Sequence, residues 1–137
     1  MDVLILIGRI LFVSVMLTSA FGHFAQAKQM TGYARSRGVP LAGPAVFIGG
    51  VLLALGGLSV LLGIWPDLGA LLLAIFLIPT AILMHGFWRE SDQQTRLMEQ
   101  VQFFKDLSLG GAALALLGLF AALGDELGLT ITGPLFG

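Results

Sequence analysis

Two histidines, one lysine and one aspartate are the residues of this chain best suited to chemistry. They are His23, His85, Lys105 and Asp106, in a sequence that has 2 histidines and only 11% charged residues. A histidine can gain or lose a proton near neutral pH, and a lysine beside an aspartate can orient a polar head group. These residues could therefore handle protons or bind a polar ligand, provided that the fold brings them together.

The elements that must position these residues lie in lipid. Hydrophobic residues make up 57% of the 137 positions, too many for a soluble protein of this size to cover with polar groups. Four continuous apolar stretches can each cross a bilayer, which takes about 20 residues, and their lack of alternation favours helices over strands. They cover residues 3–24, 45–64, 68–88 and 103–123. The sequence predicts one domain over residues 1–137, an all-α transmembrane four-helix bundle with up-down-up-down topology.

The two histidines are predicted to lie at similar depth. The first and third spans run in the same direction, and His23 and His85 come at their ends, while Lys105 and Asp106 begin the buried part of the fourth span. A kink at Pro79 would turn His85 inward. Ionisable residues at membrane depth are candidates for function, so we expect a ligand-binding or proton-handling layer. The alternative is that these residues reach the head groups or cap helix ends. Apolar walls for the layer are available from Phe87, Phe103 and Phe104.

A second charged cluster is predicted at the opposite end of the bundle. Arg9 lies about two turns inside the first span, where an arginine is costly unless it reaches water or finds a partner. The acids predicted at that end are Asp67, Asp125 and Glu126. We expect them to pair with Arg9 and to have a structural role.

Lysine and arginine predict the orientation. Lys28, Arg35 and Arg37 lie between the first two spans, and Arg89 and Arg96 between the last two. Because positive loops stay in the cytosol, segments 25–40 and 89–102 are expected there, with both termini outside a cell (inner or plasma) membrane. The A-x-A pattern at residues 25–27 is typical of a signal-peptide cleavage site. The usual amino-terminal lysines are missing, however, and the apolar run can span, so we expect this helix to be retained.

Several classes of function are disfavoured. The chain has 0 cysteines, which excludes disulfides, thiol chemistry and thiolate-bound metals. Two histidines are too few to argue for haem, and no metal site is predicted. No basic surface interleaved with aromatics suggests a nucleic-acid partner.

Small residues at regular spacing predict where helices approach closely. A seven-residue repeat marks the second span, and stripes mark the first and fourth. These positions are Gly49, Gly56 and Gly63, then Ser14, Thr18 and Gly22, then Gly111, Ala115 and Gly118. The same stripes could join copies of the chain or a partner protein.

Four segments together carry a family resemblance. They are "GRILFVSVMLTSAFGHFAQ", "YARSRGVP", "GGLSVLLGIWPDLGALLLAIFLIPTAILMHGFW" and "QVQFFKDLSLGGAALALL". In this order and spacing, over residues 5–122, the chain resembles the DoxX family of small four-span membrane proteins. The family often has a glutamate in the second span where this chain has Ala54, and an asparagine where it has Asp106. Arg9 would thereby lose an intramembrane partner.

The resemblance implies an integral membrane subunit linked to redox systems, and it suggests a quinone as cofactor. Some relatives belong to a thiosulfate:quinone oxidoreductase, and others are proposed partners of superoxide dismutase and a sulfurtransferase. A membrane subunit or anchor of such a complex is therefore one expectation. The other is a non-catalytic scaffold or assembly factor for a partner membrane protein, because no complete catalytic set is evident. Passage of a solute is less supported, since no continuous polar file crosses the bundle.

Overall fold

The protein is described by a computed structural model that covers residues 1–137, and its fold is all-α. Five helices follow in order: α1 (Asp2–Ala25), α2 (Ala27–Ser36), α3 (Ala42–Leu62), α4 (Pro66–Met84) and α5 (Gln93–Leu123). Four of them, α1, α3, α4 and α5, are long and apolar enough to cross a membrane. The all-α bundle with four membrane helices is thus confirmed, and α2 is an additional short helix between the first two.

Local sequence explains where the helices begin and end. Asp92 caps α5 by accepting hydrogen bonds from the Thr95 amide at 2.9 Å and the Thr95 hydroxyl at 2.8 Å, and these bonds hold the pKa of Asp92 below its usual range. Gly38 ends the α2 region with φ of +81°, a conformation that glycine adopts without strain. α4 stops at Met84, earlier than the predicted span, and the chain then forms a short 3₁₀ turn at Phe87–Arg89.

The four long helices pack in the order α1, α3, α4, α5. α1 packs on α3, α3 on α4, and α4 on α5, whereas α1 and α5 share no extended contact. The start of α1 lies beside the carboxyl-terminal tail, since the Asp2 side chain reaches Gly128. We call this the terminal end, and the opposite end, with α2 and the α4–α5 connection, the polar end.

The hydrophobic core fills the bundle from the terminal end to its middle. Twelve buried residues form one cluster with contributions from every long helix and the tail. Val13 of α1, Val60 of α3, Leu73 of α4 and Phe120 of α5 are each at most 1% exposed. The helices are thus held together firmly in this part of the bundle.

Glycines allow α3 to approach its neighbours closely, as the sequence predicted. Gly49, Gly56 and Gly57 are buried. A Cβ atom added at Gly56 would lie 2.8 Å from Leu73 Cγ and 3.0 Å from the Gly69 carbonyl oxygen. The backbones of α3 and α4 therefore meet at a distance that only glycine permits.

The stripes on α1 and α5 do not pack inside the chain, so that expectation was wrong. The residues Ser14, Thr18, Gly111, Ala115 and Gly118 are exposed on the outside of the bundle. The buried face of α1 instead runs through Arg9, Val13, Met16, Ala20 and His23, and that of α5 through Asp106, Gly110, Ala113 and Phe120. Small residues suit lipid-facing positions as well as interfaces, and spacing does not separate the two.

Arg9 closes the terminal end by capping α3. The side chain is fully buried. Its Nε donates to the Val60 carbonyl at 2.7 Å and its Nη2 to the Leu61 carbonyl at 2.6 Å. Because the last carbonyls of a helix have no partner within it and carry partial negative charge, the guanidinium satisfies them and balances their dipole.

The tail completes the cap. Arg9 Nη1 donates to the Leu129 carbonyl at 2.9 Å, and Leu129 has a left-handed backbone with φ of 54°. The Ile131 amide donates to the Leu62 carbonyl at 3.2 Å. Three segments distant in sequence, α1, α3 and the tail, therefore meet at one buried arginine.

The expected ion pairs of Arg9 are absent. No salt bridge joins Arg9 to an acid, because backbone carbonyls occupy its donors. Asp67 is fully buried and accepts hydrogen bonds from the amides of Leu135 at 2.8 Å and Phe136 at 2.5 Å. Asp125 and Glu126 lie exposed in a 3₁₀ turn. Arg9 and Asp67 hold the tail through separate sets of backbone groups.

Substitution of Gly56 and Gly111 tests the packing. We expect Gly56→Ala to lower the melting temperature in detergent, because the new methyl group would collide with Leu73 and the Gly69 backbone. Gly111→Ala, with nothing within 4 Å of the added Cβ, should leave the melting temperature unchanged or raise it. Equal destabilisation by both variants would contradict the close α3–α4 contact.

Substitution of Arg9 tests the cap. We expect Arg9→Met to destabilise the protein by at least about 3 kcal/mol, since hydrogen bonds to a charged group contribute about 1.5–3 kcal/mol each. Arg35→Met is the control, because Arg35 is exposed on α2. The measurement is denaturation in detergent followed by circular dichroism, and a similar loss in both variants would show that the cap is not the cause.

Candidate functional site

A cavity of about 670 Å³ lies between the helices at the polar end. Of the 28 residues that line it, 17 are hydrophobic. All four predicted site residues, His23, His85, Lys105 and Asp106, are among them. The structure thus brings them to one cavity, while their role stays a prediction.

His85 is the centre of the polar network. It directly follows α4, and its Nδ1 lies 2.7 Å from Glu99 Oε2. A carboxylate only accepts hydrogen bonds, so Nδ1 carries a proton. On the other side of the ring, Nε2 lies 3.6 Å from Asp106 Oδ2, which is too long for a hydrogen bond. His85 therefore lies between two carboxylates of α5 and hydrogen-bonds to only one of them.

Glu99 is a site residue that the sequence reasoning missed. It lies in the polar first part of α5, for which the sequence predicts a helix that begins near residue 92 in the cytosol or head groups, without any site residue. A signal was present, because Glu99 and Asp106 are seven residues apart and residues at that spacing lie on one face of a helix. A histidine at the end of the preceding helix can then meet both.

α2 covers the mouth of the cavity and is tied to α5. The Tyr33 hydroxyl donates to Glu99 Oε1 at 2.5 Å, so the glutamate joins α2 to His85. A second tie runs from Arg37 to Glu90 in a salt bridge, while Arg37 Nε donates to the Met84 carbonyl at 2.9 Å at the end of α4. Neither tie was expected from the sequence.

His23 forms a separate part of the cavity wall. Its Nδ1 lies 2.8 Å from the Val46 carbonyl oxygen, and a carbonyl only accepts, so Nδ1 donates. The ring meets Phe76 edge to face at 5.5 Å. The residue fits because Gly49 and Gly50 leave room: a Cβ at Gly49 would lie 3.0 Å from the ring carbon Cε1 of His23, and one at Gly50 would lie 2.9 Å from the Cβ of His23. His23 forms no hydrogen bond to the other three predicted residues.

Lys105 and Asp106 differ in burial. Asp106 is 7% exposed, whereas about half of the Lys105 side chain is exposed. Lys105 Nζ donates to Gln102 Oε1 at 2.5 Å and lies 3.6 Å from Asp106 Oδ1. The lysine is therefore a partner at the rim, and the aspartate is a group of the interior.

The aromatic residues near the α4–α5 connection do not line the cavity, which corrects the expectation that Phe87, Phe103 and Phe104 form its walls. They pack with Trp88 in a cluster of their own, for example with Phe87 and Phe103 ring centres 5.5 Å apart. The reason is that the chain turns after His85, which directs Phe87 away from the interior. The apolar walls come from all five helices instead, chiefly from α3 and α4.

The sequence of the chain matches one known protein family. The model of the DoxX family matches residues 4–86, which is more than half of the chain. The chain belongs to the DoxX family. No curated protein sequence and no solved structure matches it.

The matched region of this DoxX protein contains α1, α3 and α4 with both histidines, and it ends before α5. The likeness noted around Lys105 and Asp106 therefore stays a prediction. Ala54, for which the resemblance suggested a glutamate in other family members, packs against the hydrophobic core. The carbonyls of α3 supply partners for Arg9.

The only tyrosine of the DoxX protein reports on the Tyr33–Glu99 contact. Burial, followed by the hydrogen bond to Glu99 and its negative charge, raises the pKa of Tyr33 to about 12, from an ordinary value of about 10. Since the folded state favours the neutral phenol, the Tyr33–Glu99 contact stabilises the folded protein. This contribution is complete below about pH 10 and is lost as the pH rises through about 12.

Tyrosinate absorbance measures this titration directly. We expect a midpoint near 12 in the folded protein and a lower midpoint in Glu99→Gln, because the charge that opposes ionisation is removed. Tyr33→Phe should abolish the signal altogether. An unchanged midpoint in Glu99→Gln would contradict the contact.

Proposed function

We propose that this DoxX protein is a membrane subunit of a redox complex and holds a quinone in the cavity, with the head group at the polar end. The single observation that carries the proposal is the cavity itself, which joins a mainly apolar wall to a polar end. A quinone carries electrons and protons between an oxidised and a reduced form. Its isoprenoid tail is apolar and its head is polar.

The dimensions of the cavity suit such a ligand. Ligand pockets usually have volumes of about 300–1,000 Å³, and this one has about 670 Å³. Its apolar walls include Ile75, ten residues before His85, which corresponds to a depth of about 15 Å along α4. A ring and the first part of a tail would lie along this length.

The charge of the polar end favours a head without net charge. Among the residues that line the cavity, the Asp106 carboxylate lies 3.6 Å from the Lys105 ammonium, and Glu99 beside His85 is also near Arg37. A head with a net charge would find no unpaired counter-charge there, and charges interact strongly where water is scarce. A quinone ring is neutral. His23, His85, Lys105 and Asp106 are the residues that would hold it.

The cavity is also open towards lipid. Val15, Ile48, Ile75 and Leu83 line it and are at the same time exposed on the outside of the bundle. A membrane-soluble molecule could therefore enter sideways between the helices. If the positive-inside rule applies, the polar end faces the cytosol, where a redox partner would dock.

A matched pair of glycine variants tests the proposal. Gly22 lines the cavity and Gly8 does not, and an added Cβ at either meets nothing within 4 Å. We expect Gly22→Phe to reduce the quinone retained after gentle purification at least about fivefold, because the ring would occupy the site, and Gly8→Phe to retain it. Quinone in lipid extracts is quantified by chromatography.

The outcomes separate this function from its alternative. Absence of quinone from the native protein, or equal retention in both variants, would reject the proposal. A scaffold role is favoured by the exposed small residues on α1 and α5, such as Gly111 and Gly118, which no helix of this chain covers. In that case Gly111→Leu, and not Gly22→Phe, should release a co-purifying membrane protein.

A further inference from the structure

We infer that the cavity selects the reduced, hydroxyl-bearing hydroquinone over the oxidised quinone. This inference rests on the proposed function, and it concerns binding alone, without any electron transfer. It follows from which atoms of the polar end can accept a hydrogen bond and which can donate one.

His23 offers an acceptor. Its Nδ1 proton is committed to the Val46 carbonyl at 2.8 Å, so the neutral ring carries its lone pair on Nε2. Nε2 has no hydrogen-bond partner, and no fully buried side-chain nitrogen or oxygen lacks one. Nε2 is therefore accessible, in a residue that lines the cavity.

His85 offers a second acceptor by the same logic. Its Nδ1 proton is directed to Glu99 at 2.7 Å, which places the lone pair of the neutral ring on Nε2. The Asp106 Oδ2 atom lies 3.6 Å from Nε2, which is too long for a hydrogen bond, so Nε2 has no partner. Asp106 adds carboxylate oxygens, which accept only.

The strong donors of the polar end are occupied or at the rim. The Tyr33 hydroxyl donates to Glu99. The Lys105 ammonium donates to Gln102 and is about half exposed. Ser19, Gln26, Gln29 and Thr80 also line the cavity, and their hydroxyls and amides can either donate or accept. The ionisable interior groups, His23, His85 and Asp106, are thus acceptors, and the preference depends on them.

The two redox forms of the ligand differ in the same property. A quinone presents carbonyl oxygens, which only accept, whereas a hydroquinone presents two hydroxyl groups that donate. A carbonyl placed against an imidazole lone pair leaves both atoms without a partner, and such buried polar groups are costly. We expect the hydroquinone to bind about tenfold more tightly, which is the effect of one such mismatch.

Three ligands of nearly equal size test the inference. The full chain is placed in nanodiscs under argon and titrated with decylhydroquinone, decylbenzoquinone and the dimethyl ether of decylhydroquinone, with empty nanodiscs as the blank. Calorimetry should give the tightest binding for the hydroquinone. The ether, which has the same skeleton but no donor, should bind no better than the quinone.

Two substitutions assign the preference to residues. His23→Phe should weaken hydroquinone binding about fivefold and so remove most of the preference for the hydroquinone over the quinone, because it removes an acceptor and keeps a ring of similar shape. Lys105→Met should have the opposite effect. It removes a donor, so quinone binding should weaken and the preference for the hydroquinone should increase. The comparison of the three ligands on the native chain remains decisive if a variant does not fold.

The outcomes are distinct. Tightest binding of the hydroquinone supports the inference. Quinone binding as tight as hydroquinone binding, or tighter, overturns it and leaves the proposed function intact. Equal binding of all three shows that the cavity holds the alkyl chain without recognising the head, and overturns the inference as well. No binding of any of the three overturns the proposed function.

Discussion

A charged arginine inside lipid must find partners, and this constraint organises the terminal end of the bundle. Arg9 satisfies the carbonyls of Val60 and Leu61 at the end of α3 and that of Leu129 in the tail. An unpaired guanidinium and bare helix carbonyls would both be costly at this depth. The hydrogen bonds between the guanidinium and the carbonyls remove both costs. They form only when α1, α3 and the tail meet at Arg9, so they fix the relative positions of these three segments.

Firm packing at one end allows a cavity at the other. The terminal half has the buried core, the Arg9 cap and the Asp67 contacts with the tail, so its helices need no further support. α1 and α5 share no extended contact, and at the polar end α2 is joined to α5 through the Tyr33–Glu99 hydrogen bond. The side chains proposed to bind a ligand therefore stand on helices that are fixed elsewhere.

The sequence predicts the parts of this structure that depend on hydropathy and helical direction. The four membrane helices follow from apolar runs, and the shared layer of His23 and His85 follows from two helices that run the same way. The partners of Arg9 could not be predicted, because they are backbone carbonyls. Every residue has one, so the residue types do not show which of them will accept a hydrogen bond. The Tyr33–Glu99 contact joins residues 66 positions apart, and no local pattern relates them. The stripe on α5 misled, because lipid tolerates small residues as well as an interface does.

The sideways opening of the cavity, past Val15 and Ile75, changes the scale on which any affinity should be judged. A ligand that arrives through the bilayer is drawn from a thin two-dimensional solvent in which it is already highly enriched. Occupancy then depends on its mole fraction among the lipids and hardly at all on its aqueous concentration. A site that appears weak in molar units would therefore be filled in a native membrane.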